Sequence, residues 1–179
     1  MKKYLLLLLV FTSLTAVQCK KTTPEDQLPP ITTTGANTFG CLVNGNVWLP
    51  YGSLGVPSLT SNIYLDMISK TNTLNIDAYD RKNGALSDIN ITVKKLISDT
   101  SIYILYNYLN EGLVYSNNNI DYEPYDTFGL VHIIHYDTIQ KIVSGTFSFI
   151  GYTSTDHSLA PPVSITDGRF DLHYPLTIH

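Results

Sequence analysis

Charge is scarce in this chain: Asp, Glu, Lys and Arg make up 15% of its 179 residues, and eleven bases face fifteen acids. That balance excludes a strongly basic nucleic-acid binder, and the 44% hydrophobic content excludes an acidic disordered tail as the main component. Cysteine is scarcer. Two residues, Cys19 and Cys41, cannot staple a disulfide-dense mini-protein or build a multi-cysteine zinc or iron–sulfur scaffold. There is one Trp against thirteen Tyr, and with many Ser, Thr and Asn this composition favours short strands joined by polar turns. The length suits one domain with ample material for a core.

The one long apolar run lies at the start. Met1-Lys2-Lys3 supplies a positive segment, and Tyr4–Val10 opens an apolar stretch that continues to about Leu14. A spanning helix needs ~20 apolar residues, so this run fits the core of a secretory signal peptide instead. Leu14-Thr15-Ala16-Val17-Gln18-Cys19 resembles a bacterial lipobox, with Gln18 in place of the usual small residue. The division expected is therefore a lipoprotein signal peptide over 1–18, then lipidated Cys19 with a flexible tether to residue 38, then a single β-rich domain over 39–179. The competing reading is ordinary cleavage near Ala16. Without Lys2 and Lys3 the basic count falls to nine against fifteen acids, a net charge of −6. Acyl chains rather than charge would then hold the protein to a membrane. Lys20 follows Cys19 where an inner-membrane retention signal commonly has Asp, so the outer membrane is expected.

Lys20–Thr38 holds three prolines, six threonines and little to bury, which reads as a tether able to reach about 60 Å. From Phe39 the hydrophobic period is two. Asn44-Gly45 is a strong hairpin signal, and Asn117-Asn118-Asn119 is a second. Ile63 and Leu65, then Leu74, Ile76 and Ala78, then Ile89, Ile91 and Val93 alternate with polar residues, as half-buried antiparallel strands do. Ile102–Tyr108 reads as a strand buried on both faces. Val163 and Ile165 are out of parity with Phe170 and Leu172, so Asp167-Gly168 must be a turn or must insert a residue. Ser144-Gly145-Thr146-Phe147 also echoes Asp167-Gly168-Arg169-Phe170. The fold class expected is all-β: an antiparallel, meander-like, lipocalin-like barrel or a two-sheet sandwich of about ten strands.

The segment Thr34–Pro50, with Phe39-Gly40-Cys41-Leu42-Val43-Asn44-Gly45-Asn46-Val47-Trp48 at its centre, resembles the opening of an uncharacterised lipoprotein family of the Bacteroidota. Val143–Phe147 and Ile165–Asp171 are similar to that family's C-terminal strands. The resemblance implies an envelope lipoprotein with a β domain and transfers no catalytic residue.

Motifs for chemistry are few. No G-x-S-x-G elbow, H-E-x-x-H pair or phosphate-binding glycine loop occurs. Cys41 sits in an apolar strand and reads as a small hydrophobe. His132 and His135, three apart on a strand, are expected on opposite faces and so unable to share a metal ion. Asp66 and Asp77 on neighbouring strands read as surface acids. Asp121-Tyr122-Glu123-Pro124-Tyr125-Asp126 is the most suggestive cluster: Tyr122 and Tyr125 can stack on sugar rings while Glu123 and Asp126 accept from hydroxyls or help hold calcium. Trp48 is a further candidate platform. Each also has a plain account, a polar turn and a core aromatic respectively. The expected function is a membrane-anchored, non-catalytic binding or structural module with no cofactor, its partner a glycan or an envelope protein. A barrel carrier of a small hydrophobic ligand and a glycan-acting enzyme are the alternatives.

Overall fold

A computed structural model describes residues 22–53, 55, 57–66, 71–82, 86–96, 101–105, 112–124, 129–153 and 160–178. β1 (Thr38–Val43) and β2 (Asn46–Trp48) form the expected hairpin, with φ of 50° at Asn44 and 77° at Gly45, the two positive values a type I′ turn requires. β3 (Leu59–Asp66), β4 (Thr71–Asp80) and β5 (Ser87–Leu96) follow as a meander, then β6 (Ile102–Leu105). β7 (Gly112–Asn117) and β8 (Ile120–Glu123) turn through Asn118 and Asn119, both also at positive φ. β9 (Gly129–Asp137), β10 (Ile142–Thr153), β11 (Val163–His173) and β12 (Leu176–Ile178) complete the strands.

All twelve strands belong to one sheet, strongly curled into a half-barrel, so the chain has the all-β, barrel-like class its periodicity implied. One wall runs β2-β1-β11-β10-β9-β6 and the other β12-β3-β4-β5-β7-β8. β10 belongs to both, because residues 142–148 pair with β9 while Tyr152 and Thr153 pair with β8. Both walls turn alternate side chains inward to a single core that includes Phe39, Cys41, Leu74, Ile91, Val131 and Phe147. Side chains tie the walls across the open side. Trp48 Nε1 donates to Ser87 Oγ at 3.0 Å, Ser61 Oγ to the His173 carbonyl at 2.9 Å, and Asn72 Nδ2 to the Tyr136 hydroxyl at 3.0 Å.

The parity break at Asp167-Gly168 is an insertion. β11 runs unbroken through it, with Asp167 at φ 53°, and both neighbours slip register there: Phe147 pairs with Gly168 but Phe149 with Ile165, Gly40 with Arg169 but Leu42 with Thr166. The echoed segments lie side by side in β10 and β11. Gly145 is opposite Phe170 and Gly168 opposite Phe147, so each glycine lies beneath the other strand's ring. A Cβ on Gly168 would stand 2.5 Å from the Phe147 carbonyl oxygen, and one on Gly145 2.5 Å from that of His132. Backbone cannot yield as a flexible side chain can. Gly168→Ala and Gly145→Ala should each cost about 2–3 kcal/mol in urea unfolding, from overpacking alone. Gly45→Ala, with open space around it, should cost less, its positive φ being the only strain.

Two expectations need correction. Of the Ile102–Tyr108 strand, residues 106–108 lie outside the described residues, and β6 is not buried on both faces: Ile102 and Ile104 are 65% and 52% exposed. The second concerns the tether. Residues 28–38 belong to the domain: Leu28 is buried, and the chain from Thr32 to Ala36 wraps the buried Asp171 carboxylate on β11. Thr32 Oγ1 donates to Asp171 at 2.6 Å, Ser144 Oγ at 2.7 Å, and the Gly35, Thr34 and Ala36 N–H groups at 2.8, 3.0 and 3.2 Å. Thr34 Oγ1 adds a longer contact of 3.3 Å. Burial alone would push this carboxyl up, but the hydrogen bonds from Thr32, Ser144 and the backbone outweigh it and hold it well below the usual carboxylate range.

Candidate functional site

Of the residues expected to bind sugar, Trp48 and Tyr122 turn their rings inward. Trp48 is buried in the core, 6.0 Å edge-on to Phe39, with its indole N–H satisfied by Ser87. Tyr122 pairs with Tyr115 across β7 and β8, and its ring faces inward, 5.9 Å from that of Tyr115. Trp48 offers no open face to a ligand, and Tyr122 is half-buried against the core. Glu123, one residue on, has strand parity opposite to Tyr122; burial, then the neighbouring Asp121 charge, push its carboxyl up. Tyr125 and Asp126 lie outside the described residues. The signal that separates Tyr122 from a platform was present as period two: Tyr122 shares parity with inward positions, while Asp121 and Glu123 do not.

Other sequence candidates are also placed. Cys41 is fully buried, and burial pushes its thiol up, away from any nucleophilic role. Asp66 pairs with Thr71 and Asp77 with Thr60, so the two acids sit at opposite ends of the β3–β4 hairpin and do not form a catalytic pair. For His132 and His135 the expected geometry is reversed. Gly145 pairs with Ile133 but Ser144 with His135, a bulge that adds Ile134 to β9 and returns both histidines to the same, outward parity. Even so, no group of three or more His, Cys, Asp or Glu among the described residues is arranged to hold a metal ion.

The outward faces of the two walls differ. That of the second wall is polar and acidic: Asn90 donates to Asp77, and Ser116 to Asp121 at 2.6 Å. Burial raises the Asp88 carboxyl there, with Asp121 and Asp77 adding to it against a hydrogen bond from Ser116. The first wall carries the docked segment and, beside it, an open groove of about 370 Å³. Glu25 and Ile31 of the segment form one side, Arg169 and Thr146 the floor, and His132, Leu130 and Ile102 the other side. Pairing registers order this surface. Ile102, His132, Thr146 and Arg169 make one row across β6, β9, β10 and β11, and Ile104, Leu130 and Ser148 make the next. Arg169 is held at the segment, with one amine donating to the Pro29 carbonyl at 3.4 Å and the other 3.9 Å from Glu25.

Comparison with family models, curated proteins and solved structures finds no match for this chain. The class that its own geometry defines is an all-β, curled half-barrel with a docked N-terminal strap. Among the described residues no helix is long and apolar enough to cross a membrane.

Proposed function

We propose that this chain is an envelope lipoprotein, anchored through Cys19 in the outer membrane, and that its β domain is a non-catalytic binding or structural module of the kind its resemblance to Bacteroidota lipoproteins implies. The observation that carries the anchor is Lys2-Lys3, the apolar run and Leu14–Cys19 in that order. A packed core supports the module reading. Among the described residues the inward side chains meet one another, as Phe39 meets Phe147 with ring centroids 5.1 Å apart. The partner is an envelope protein or a glycan engaged through an outward face, because Trp48 is buried and Tyr122 packs against the core.

Cys19→Ala should abolish incorporation of labelled fatty acid and leave precursor or soluble protein, while a Cys41→Ala control keeps the label. Labelling that survives Cys19→Ala would remove the anchor from this reading. Should sugar be the partner, a glycan array probed with purified protein will show saturable binding.

A further inference from the structure

We propose that the first wall's outward face, where Ile31 and Ile102 line the groove and Ile104 lies in the next row, rests on the lipid surface to which Cys19 is tied. This rests on the anchor reading above and adds the orientation of the domain. Two independent observations carry it. The first is reach. The strap is fastened to the domain from Leu28 onward through Leu28 burial and the Asp171 bonds, and Glu25 stands 3.9 Å from Arg169. Only Lys20–Thr23 remain between an acylated Cys19 and the turn at Pro24–Gln27, and four residues span at most ~14 Å. The domain cannot stand a protein diameter away from its anchor. It must present the side from which the strap emerges.

The second observation is what that side exposes. Ile31, Ile102 and Ile104 are 54%, 65% and 52% exposed, and Ile150 on the same face is 44% exposed. Leu130 continues the apolar row between them. Four exposed isoleucines on one face are unusual on a solvated surface, whereas an interfacial location buries them among head groups and upper acyl chains. The charges at the groove suit this placement. Glu25 is paired with Arg169, His132 lies in the Ile102 row, and Asp167 sits at the bulge on the rim. Lys20 and Lys21, next to the anchor, favour anionic head groups. The second wall, with Asp77, Asp88 and Asp121 outward, then faces away from the membrane and stays open to a partner.

The test uses the full mature protein, reconstituted in vesicles of phosphatidylcholine whose acyl chains are brominated. Trp48 is buried and supplies a constant background. Tryptophan is introduced by Ile102→Trp or Ile104→Trp on the proposed face and by Thr92→Trp on the second wall. Bromolipid should quench I102W and I104W several-fold more than T92W. Lengthening the tether with a Gly/Ser insert of roughly ten residues between Lys21 and Thr22 should lower that quenching toward the T92W level. Acylation by mass and flotation with the vesicles are measured on the same samples. Protein that is neither acylated nor floating overturns the anchor and this orientation together. Acylated, floating protein in which I102W and I104W are quenched no more than T92W overturns the orientation alone, and leaves the groove to a protein partner. Quenching unchanged by the insert overturns the argument from reach.

Discussion

Asp171→Asn is expected to destabilise the fold by about 3 kcal/mol, because hydrogen bonds to a charged acceptor are worth roughly 1.5–3 kcal/mol each and an amide can accept with only one of its two atoms. Gly35 N–H and Ser144 Oγ point at one carboxylate oxygen, and Thr32, Thr34 and Ala36 at the other. Whichever way the amide turns, its NH₂ meets donors. For a domain of this size the midpoint should drop by roughly 6–12 °C. A protease acting within residues 28–36 should find its sites only in the variant. A chain beginning at Thr38 should show a similar loss, since it removes the Thr32, Thr34, Gly35 and Ala36 donors and leaves Asp171 with Ser144.

The same group makes stability depend on pH. Asp171 titrates near ~3.9 in the unfolded chain and lower in the folded one. As pH falls the unfolded state takes up its proton first, so Asp171's contribution is complete above about pH 5 and declines as pH drops through the ordinary Asp range and below it. The difference in unfolding free energy between wild type and Asp171→Asn should therefore shrink on acidification. A constant difference from pH 7 to the acid limit would mean that the carboxylate charge is not what holds the strap.

Ile91→Asp is expected to prevent folding. Ile91 is fully buried on β5, paired with Ile76 on one side and Leu113 on the other. A carboxylate there has no partner, and an uncompensated buried charge with the loss of apolar burial costs more than ~4 kcal/mol, a large part of a typical domain's stability. Near-ultraviolet circular dichroism from Trp48 and the packed tyrosines should disappear. Asn90→Asp, one residue away, should cost only ~1 kcal/mol. Asn90 faces outward and donates to Asp77, directly opposite in register, so the substitution replaces a hydrogen bond with like charges, and added salt should recover part of the loss. Comparable damage from both would contradict the inward and outward assignment of β5.

Much of the wall structure was legible because its cause is local. Period two along β4 and β5, Asn-Gly at positions 44–45 and the parity break at Asp167-Gly168 each act through neighbours a few residues apart. The tyrosine and acidic cluster divides for a related reason. A cluster of Tyr and acidic residues is contiguous in sequence, but a strand sends neighbours to opposite faces, so Tyr122 packs on Tyr115 at the core while Glu123 has the opposite parity. The bulge at Ile134 defeated the reading of His132 and His135 in the other direction. One inserted residue reverses the parity that the spacing alone implied.

Composition and periodicity by themselves determined the all-β class, the strand faces, the hairpin turns and the isolation of Cys41 in the core, because each follows from side-chain chemistry repeated along a short segment. Tertiary structure alone decided where the threonine- and proline-rich segment goes. It has almost nothing apolar to bury, and composition marks it as free. Its partner is one carboxylate more than 130 residues away, and those hydrogen bonds exist only once β10 and β11 have placed Ser144 and Asp171 side by side.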